Sequence, residues 1–232
     1  MKVNNFKLGI CLLSILSFVA CKSSEKEDTD SVHWDMAVLD LARSVNYLSR
    51  EEKDIILEMN KIRADPQKYA QLYIEPELQY YNGNMYQKPG QITMMTQEGK
   101  KAVEECIAAL SKTARASALS PELGLSRAAR DHAEDQGQTG QVGHTGSDGS
   151  SMTGRVQKYG KGFSSLAENI AYGDNVARDI IIRLLIDDGV SSRGHRINIM
   201  NPQYTKTGTA IGTHPSYSYL CVIVLANNYI SN

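Results

Sequence analysis

Apolar residues recur at helical spacing in several stretches of this chain and at strand spacing in two others. Ile55, Ile56, Met59 and Ile62 share one face of a helix. Ser49 and Glu52 stand in the S-x-x-E pattern of a capping box, which opens that helix. Asp65-Pro66 closes it, because proline pushes the residue before it out of helical backbone. Val103, Cys106, Ile107 and Leu110 predict a second helix, capped by Thr96. Ser120-Pro121-Glu122 predicts a third, with serine at the cap and proline in the first turn, running to about Gln138. Val176, Ile180, Ile181, Leu184 and Leu185 predict a fourth. Thr207 to Thr213 alternates as a strand. Leu220 to Ala226 is almost wholly apolar and reads as a strand covered on both faces.

Between these elements lie weaker signals. Val32 to Leu48 predicts a short docking helix, with His33-Trp34 resting on the domain surface. Residues 75–95 look irregular, with a hairpin turn at Asn82-Gly83, and Tyr80, Tyr81 and Tyr86 belong to a small hairpin packed on the domain. Residues 137–162 are rich in Gly, Ser and Thr and read as a long ordered loop or a set of turns.

The start of the chain has a different pattern. Lys2 and Lys7 precede an apolar or small run from Leu8 to Ala20, too short to span a membrane, and Cys21 follows at once. Basic start, apolar middle and small residue at the cut describe a signal peptide over residues 1–20. Phe18-Val19-Ala20-Cys21 resembles a bacterial lipobox, in which Cys21 is lipidated. Lys22 to Asp30 contains no apolar residue and reads as a solvated tether. The expected organisation is a signal peptide (1–20), a lipidated cysteine and tether with a docking helix (21–48), and one folded domain (49–232). The expected location is the bacterial cell envelope, with the membrane as partner through the lipid anchor. Oligomeric state is not legible in the sequence.

Composition narrows the function. The chain has 232 residues, 41% apolar and 22% charged, an ordinary globular mixture. Basic and acidic residues nearly balance, 25 against 26, which argues against a nucleic-acid binder. Its 4 cysteines form no C-x-x-C pair, which speaks against a zinc ribbon or a thioredoxin-like site. Cys106 on a helix face and Cys221 in a buried strand read as free thiols in the core rather than a disulfide. There is no G-x-S-x-G, H-E-x-x-H or G-x-x-x-x-G-K pattern, and the loop around Asp148 carries one carboxylate, too few for a calcium loop.

What remains is a scatter of His and acidic residues near glycine. Gly143-His144-Thr145-Gly146, Ala167-Glu168-Asn169-Ile170-Ala171, Arg193-Gly194-His195-Arg196-Ile197-Asn198 and Thr207-Gly208-Thr209-Ala210-Ile211-Gly212 come in one order. In that order and spacing the chain resembles the CAP superfamily of cysteine-rich secretory, antigen 5 and pathogenesis-related 1 proteins, also called SCP domains, and its bacterial branch. The resemblance implies an α+β fold, an α-β-α sandwich with an antiparallel sheet between helical layers. It also implies a cleft lined by His144, Glu168, His195 and a further acid at Asp187 or Asp188, of which Asp188 is the working assignment.

Two imidazoles and a carboxylate suit zinc or another divalent metal with an open position for water, so the implied metal ligands are His144, His195 and Glu168. Glu168 is also the candidate catalytic residue. Three functions follow: a domain holding an unknown ligand in the cleft, a metal-assisted hydrolase, and an envelope interaction module using residues 75–95. His132 reads as a satisfied helix histidine. Arg196 is expected to pair with Asp187 or Asp188, and Asn169 and Asn198 to bond backbone.

Overall fold

The structure is a computed structural model and describes residues 34–232. The expected signal peptide, the expected lipidation site Cys21 and the expected tether, up to His33, lie outside the described residues. A folded unit begins at Trp34, ahead of the expected boundary at residue 49, because Trp34, Leu39, Ala42 and Leu48 are buried in the core. The expected docking helix is a single turn, α1 (Met36–Leu39).

Helix α2 (Arg50–Ala64) starts as its sequence dictates. The Ser49 hydroxyl accepts from Glu52 N at 3.1 Å, and a Glu52 carboxylate oxygen accepts from Ser49 N at 2.8 Å. Its apolar stripe is fully buried. Asp65 ends α2 and at once caps α3 (Pro66–Tyr69), with Pro66 in the first turn. A π-helical turn (Ala70–Ile74) follows, and a 3₁₀ helix (Glu75–Tyr80) opens the stretch expected to be irregular. The hairpin at Asn82-Gly83 joins β1 (Tyr81–Asn82) to β2 (Met85–Tyr86), and β3 (Met94–Met95) completes a small antiparallel sheet.

Two expected helix starts move. Helix α4 (Lys100–Leu110) is preceded by Gly99 at φ 64°, not capped by Thr96, whose hydroxyl donates instead to Asn84 O at 2.7 Å. Ser120 and Pro121 are not the start of a helix but a short strand, β4 (Ser120–Pro121). Their neighbourhood is captured by backbone bonds: Ser120 N donates to Thr205 O and Glu122 N to Thr207 O. Helix α5 (Leu123–Thr139) begins after them. The Gly/Ser-rich segment holds α6 (Met152–Gln157), capped by Ser151, and β5 (Gly160–Lys161).

The remaining elements are β6 (Leu166–Tyr172), α7 (Ala177–Ile186), α8 (Gly194–Met200), β7 (Lys206–His214), β8 (Ser218–Ala226) and β9 (Ile230–Ser231). The main sheet has the order β4-β7-β8-β6, antiparallel except for the β4–β7 pair, and β5 pairs with β9. Helices cover both faces. Cys221, Ile223 and Leu225 face a core shared with α2, α4 and α7, while Leu220, Val222, Val224 and Ala226 face α5 and α6. That two-sided cover is why β8 is apolar along its length. The architecture is the expected α-β-α sandwich. Cys106 and Cys221 are buried free thiols.

Candidate functional site

Strand β6 organises the site. It lies at the end of the main sheet, and successive side chains point to opposite faces. Glu168 sits opposite Val224 on the α5–α6 side, and Asn169 sits opposite Ile223 on the α7–α8 side. Two adjacent residues thus hold two histidines on opposite faces of one strand.

On the first side, His144 Nδ1 donates to Glu168 Oε1 at 2.9 Å. The ring is half exposed while the carboxylate is buried. Buried Arg155 completes the arrangement: Nη2 lies 3.1 and 2.9 Å from the two Glu168 oxygens and 3.1 Å from His144 O. The hydrogen bond to Glu168 raises the His144 pKa above its ordinary 6.5. Burial pushes the Glu168 carboxyl up, but the His144 bond and the Arg155 charge outweigh it and hold the pKa below the usual value.

On the second side, His195 Nδ1 lies 2.6 Å from Asp187 Oδ1, and His195 N donates to Asp187 Oδ2 at 3.0 Å. Asn169 Nδ2 donates to His195 O at 3.0 Å and its Oδ1 accepts from Asn198 Nδ2 at 2.9 Å, so both asparagines position the histidine segment. The acid facing His195 is Asp187, not Asp188. Asp187 ends α7 in left-handed backbone at φ 56°, which turns the chain back toward His195. Asp188 accepts from Gln97 N and Glu98 N, tying down the approach to α4, and lines a cavity beside the pair together with Asp187 and His195. Arg196 pairs with neither aspartate; both bonds go to Glu105 at 2.7 Å across the α4–α8 contact.

A cavity of about 320 Å³ opens beside the second pair. It curls around the edge of β6, since Ile170 from one face and Ala171 from the other both line it. Tyr81, Tyr86, Met94 and Met95 of the small sheet form one wall and α7 another, with Asp187 and His195 on the lining. Tyr172 also lines the cavity, and its hydroxyl accepts from Gly143 N at 3.0 Å, next to His144.

The implied metal trio does not fit. Glu168 is spent on Arg155 and His144, and a cation on that carboxylate would meet the Arg155 guanidinium within hydrogen-bond range. Among the described residues no group of three or more His, Cys, Asp or Glu side chains is placed to hold a metal ion. What the geometry offers is two imidazoles, each with Nδ1 held by a carboxylate and Nε2 left as the accessible nitrogen. Arg155 and Tyr172 were not legible as site residues. Nothing in the sequence around Arg155 marks it as buried, and Tyr172 ends a strand that the hydrophobic pattern does not announce.

A family model described as the cysteine-rich secretory protein (CAP) family matches residues 58–227. The chain belongs to the CAP family. No curated protein matches it. Among solved structures it is similar to an outer surface protein of Borrelia burgdorferi, at 20% identity and TM-score 0.41 over 47% of this chain and 77% of that one. An extracellular protein containing a SCP domain from Bacillus anthracis matches at 20% identity and TM-score 0.39, over 55% of this chain and 38% of that one. A cysteine-rich secretory protein from Staphylococcus aureus matches at 16% identity and TM-score 0.36, over 68% of this chain and 48% of that one.

Proposed function

We propose that this chain is a lipid-anchored, extracytoplasmic CAP domain that holds a small ligand at the outer edge of β6. The observation that carries the reading is the cavity itself: a chamber with apolar and aromatic walls whose lining also carries Glu77, Asp179, Arg183 and the Asp187–His195 pair. Such a site takes a ligand with an apolar body and one polar group that bonds the imidazole. The small sheet forms a wall of that chamber. The hydrolase reading needs Glu168 as a free ligand or base, and its carboxylate is already paired. The envelope location rests on the signal peptide and Cys21, in keeping with a secretory family.

The neutral fluorescent amine N-phenyl-1-naphthylamine tests the chamber. Saturable binding at one equivalent is expected, weakened about 10-fold by Val190→Trp, which fills the cavity from a half-buried position. Absence of saturable binding, or unchanged binding in Val190→Trp, overturns the reading. Cys21→Ser is expected to release the protein from membranes, and retention would refute the anchor.

A further inference from the structure

Strand β6 has a neighbour on one side only, β8, and its other edge is open. Gly173 N donates to Tyr219 O just past one end of the pairing, and Asn227 N donates to Ser165 O just past the other. The register between them runs from Leu166 opposite Ala226 to Tyr172 opposite Leu220 without a bulge. Antiparallel pairs alternate between bonded and unbonded, so Ala167, Asn169 and Ala171 turn their N–H and C=O groups to β8. Those of Glu168, Ile170 and Tyr172 point away from it. Among the described residues no backbone bond from a turn, loop or neighbouring element reaches these outward groups.

That edge faces the chamber. Ile170 and Ala171 project to opposite faces of the sheet, yet both line the cavity, so the cavity crosses the edge between them. Proline, lysine or a bulge would blunt an open edge, and β6 has none of them. A ligand with one polar group meets His195 and leaves the outward backbone groups unmatched. An extended chain presents donors and acceptors at the same two-residue repeat. From Glu168 to Tyr172 the edge is about 14 Å long, the reach of about five residues. In a strand added there, alternate side chains point to the chamber and the ones between them toward half-exposed His144. The walls also set the charge of the occupant. Glu77, Asp179, Asp187 and Asp188 stand against Arg183 and against Lys88, which bridges Glu77 and Asp179. That balance is negative and suits a basic side chain.

We propose that an extended peptide segment binds by adding a strand to the outer edge of β6, with an apolar side chain in the chamber and a basic residue two positions away at its acidic rim. This occupant presupposes the chamber proposed above and gives its ligand a chemical class. The apolar body is a side chain, and the peptide backbone carries the bonds to Glu168, Ile170 and Tyr172.

The probe is acetyl-Lys-Thr-Phe-Thr-Lys-amide, followed by NMR of the ¹⁵N-labelled protein. Without peptide, the amides of Glu168, Ile170 and Tyr172 are expected to exchange with deuterium at least about 10-fold faster than those of Asn169 and Ala171. Saturable binding with a Kd below about 1 mM is expected to slow them. Two N-methylated isomers decide whether the backbone is read, one methylated at both threonine amides and the other at the phenylalanine and lysine amides. Amides of one parity alone face β6, so one isomer is expected to lose about 10-fold in affinity or more while the other keeps it. Replacing the phenylalanine by alanine is expected to cost about 10-fold in the wild type and nothing in Val190→Trp, whose chamber is already filled. Three results overturn the proposal. One is no saturable peptide binding, and another is equal binding of the two isomers. The third is amide protection that rises with protein concentration in the absence of peptide, which gives the edge to a second copy of the chain. The naphthylamine separates the two readings. If it binds and the peptide does not, the peptide is wrong and the chamber stands; if it does not bind, the chamber is wrong and the peptide proposal goes with it.

Discussion

At His144 a single carboxylate decides the protonation state of a half-exposed ring. Glu168 raises the imidazole pKa above 6.5, so the stabilising contact is complete below 6.5 and is lost as pH rises through the elevated value. Glu168 is shifted the other way, and its share persists above about 4.5 and is lost as pH falls through the lowered value. The stability difference between wild type and His144→Ala, followed by urea denaturation, is therefore expected to be largest in the mildly acidic range and to shrink toward pH 8. A flat difference across that range would remove the pair from the account. Glu168→Gln is expected to bring the His144 pKa down to 6.5 or below by NMR titration, because the Arg155 charge then acts without the carboxylate. Part of the pairing was legible here: Glu168 meets His144, and one of the two adjacent aspartates faces His195. The choice between Asp187 and Asp188 was not. Two adjacent acids look alike in sequence, and the left-handed turn at Asp187 decides which one faces the ring. An Asp at a helix end followed within two residues by Gly189 was the available signal.

Among the elements, those with a sustained apolar pattern announced themselves best. The capping box of α2, the stripe of α7 and the apolar run of β8 are all where periodicity puts them. Strand β6 did not, since its Glu168 and Asn169 break the apolar run for the sake of the site. Glu52 shows how much one legible residue can do beyond its legible role. It caps α2 and also binds Arg130 of α5 at 2.9 Å and accepts from Ile211 N of β7 at 3.2 Å. Glu52→Ala is expected to cost about 2 kcal/mol, the loss of a cap plus a buried charge-assisted bond, measured by urea denaturation. A cost below about 0.5 kcal/mol would mean these bonds are idle. Gly208 sets how closely α5 lies on the sheet: a Cβ there would collide with Ser126 N and the Leu125 backbone. Gly208→Ala is expected to destabilise by about 3 kcal/mol or to prevent folding, where a neutral result would mean α5 shifts freely.

The whole molecule keeps a secretory family's fold without a cross-link among the described residues. The two cores on either side of the sheet, rather than cystines, hold the layers together. Its Tm in calorimetry is accordingly expected to be the same with and without a thiol reductant, and a drop on reduction would contradict the free-thiol assignment. The sandwich was legible because four motifs follow one another in order between residues 143 and 212. The start of the folded unit was not, because the residues from Trp34 to Leu48 join the core by scattered contacts without a periodic pattern.

Trp34 has a practical consequence. It is the only tryptophan in the chain, buried where the described chain begins, with Nε1–H on the Tyr73 hydroxyl at 3.0 Å and the Lys68 ammonium 4.7 Å from its ring. All indole emission therefore originates at the point where the upstream segment meets the domain. A red shift of that emission would therefore report Trp34 leaving the core, an optical gauge of loosening at this end of the domain alone.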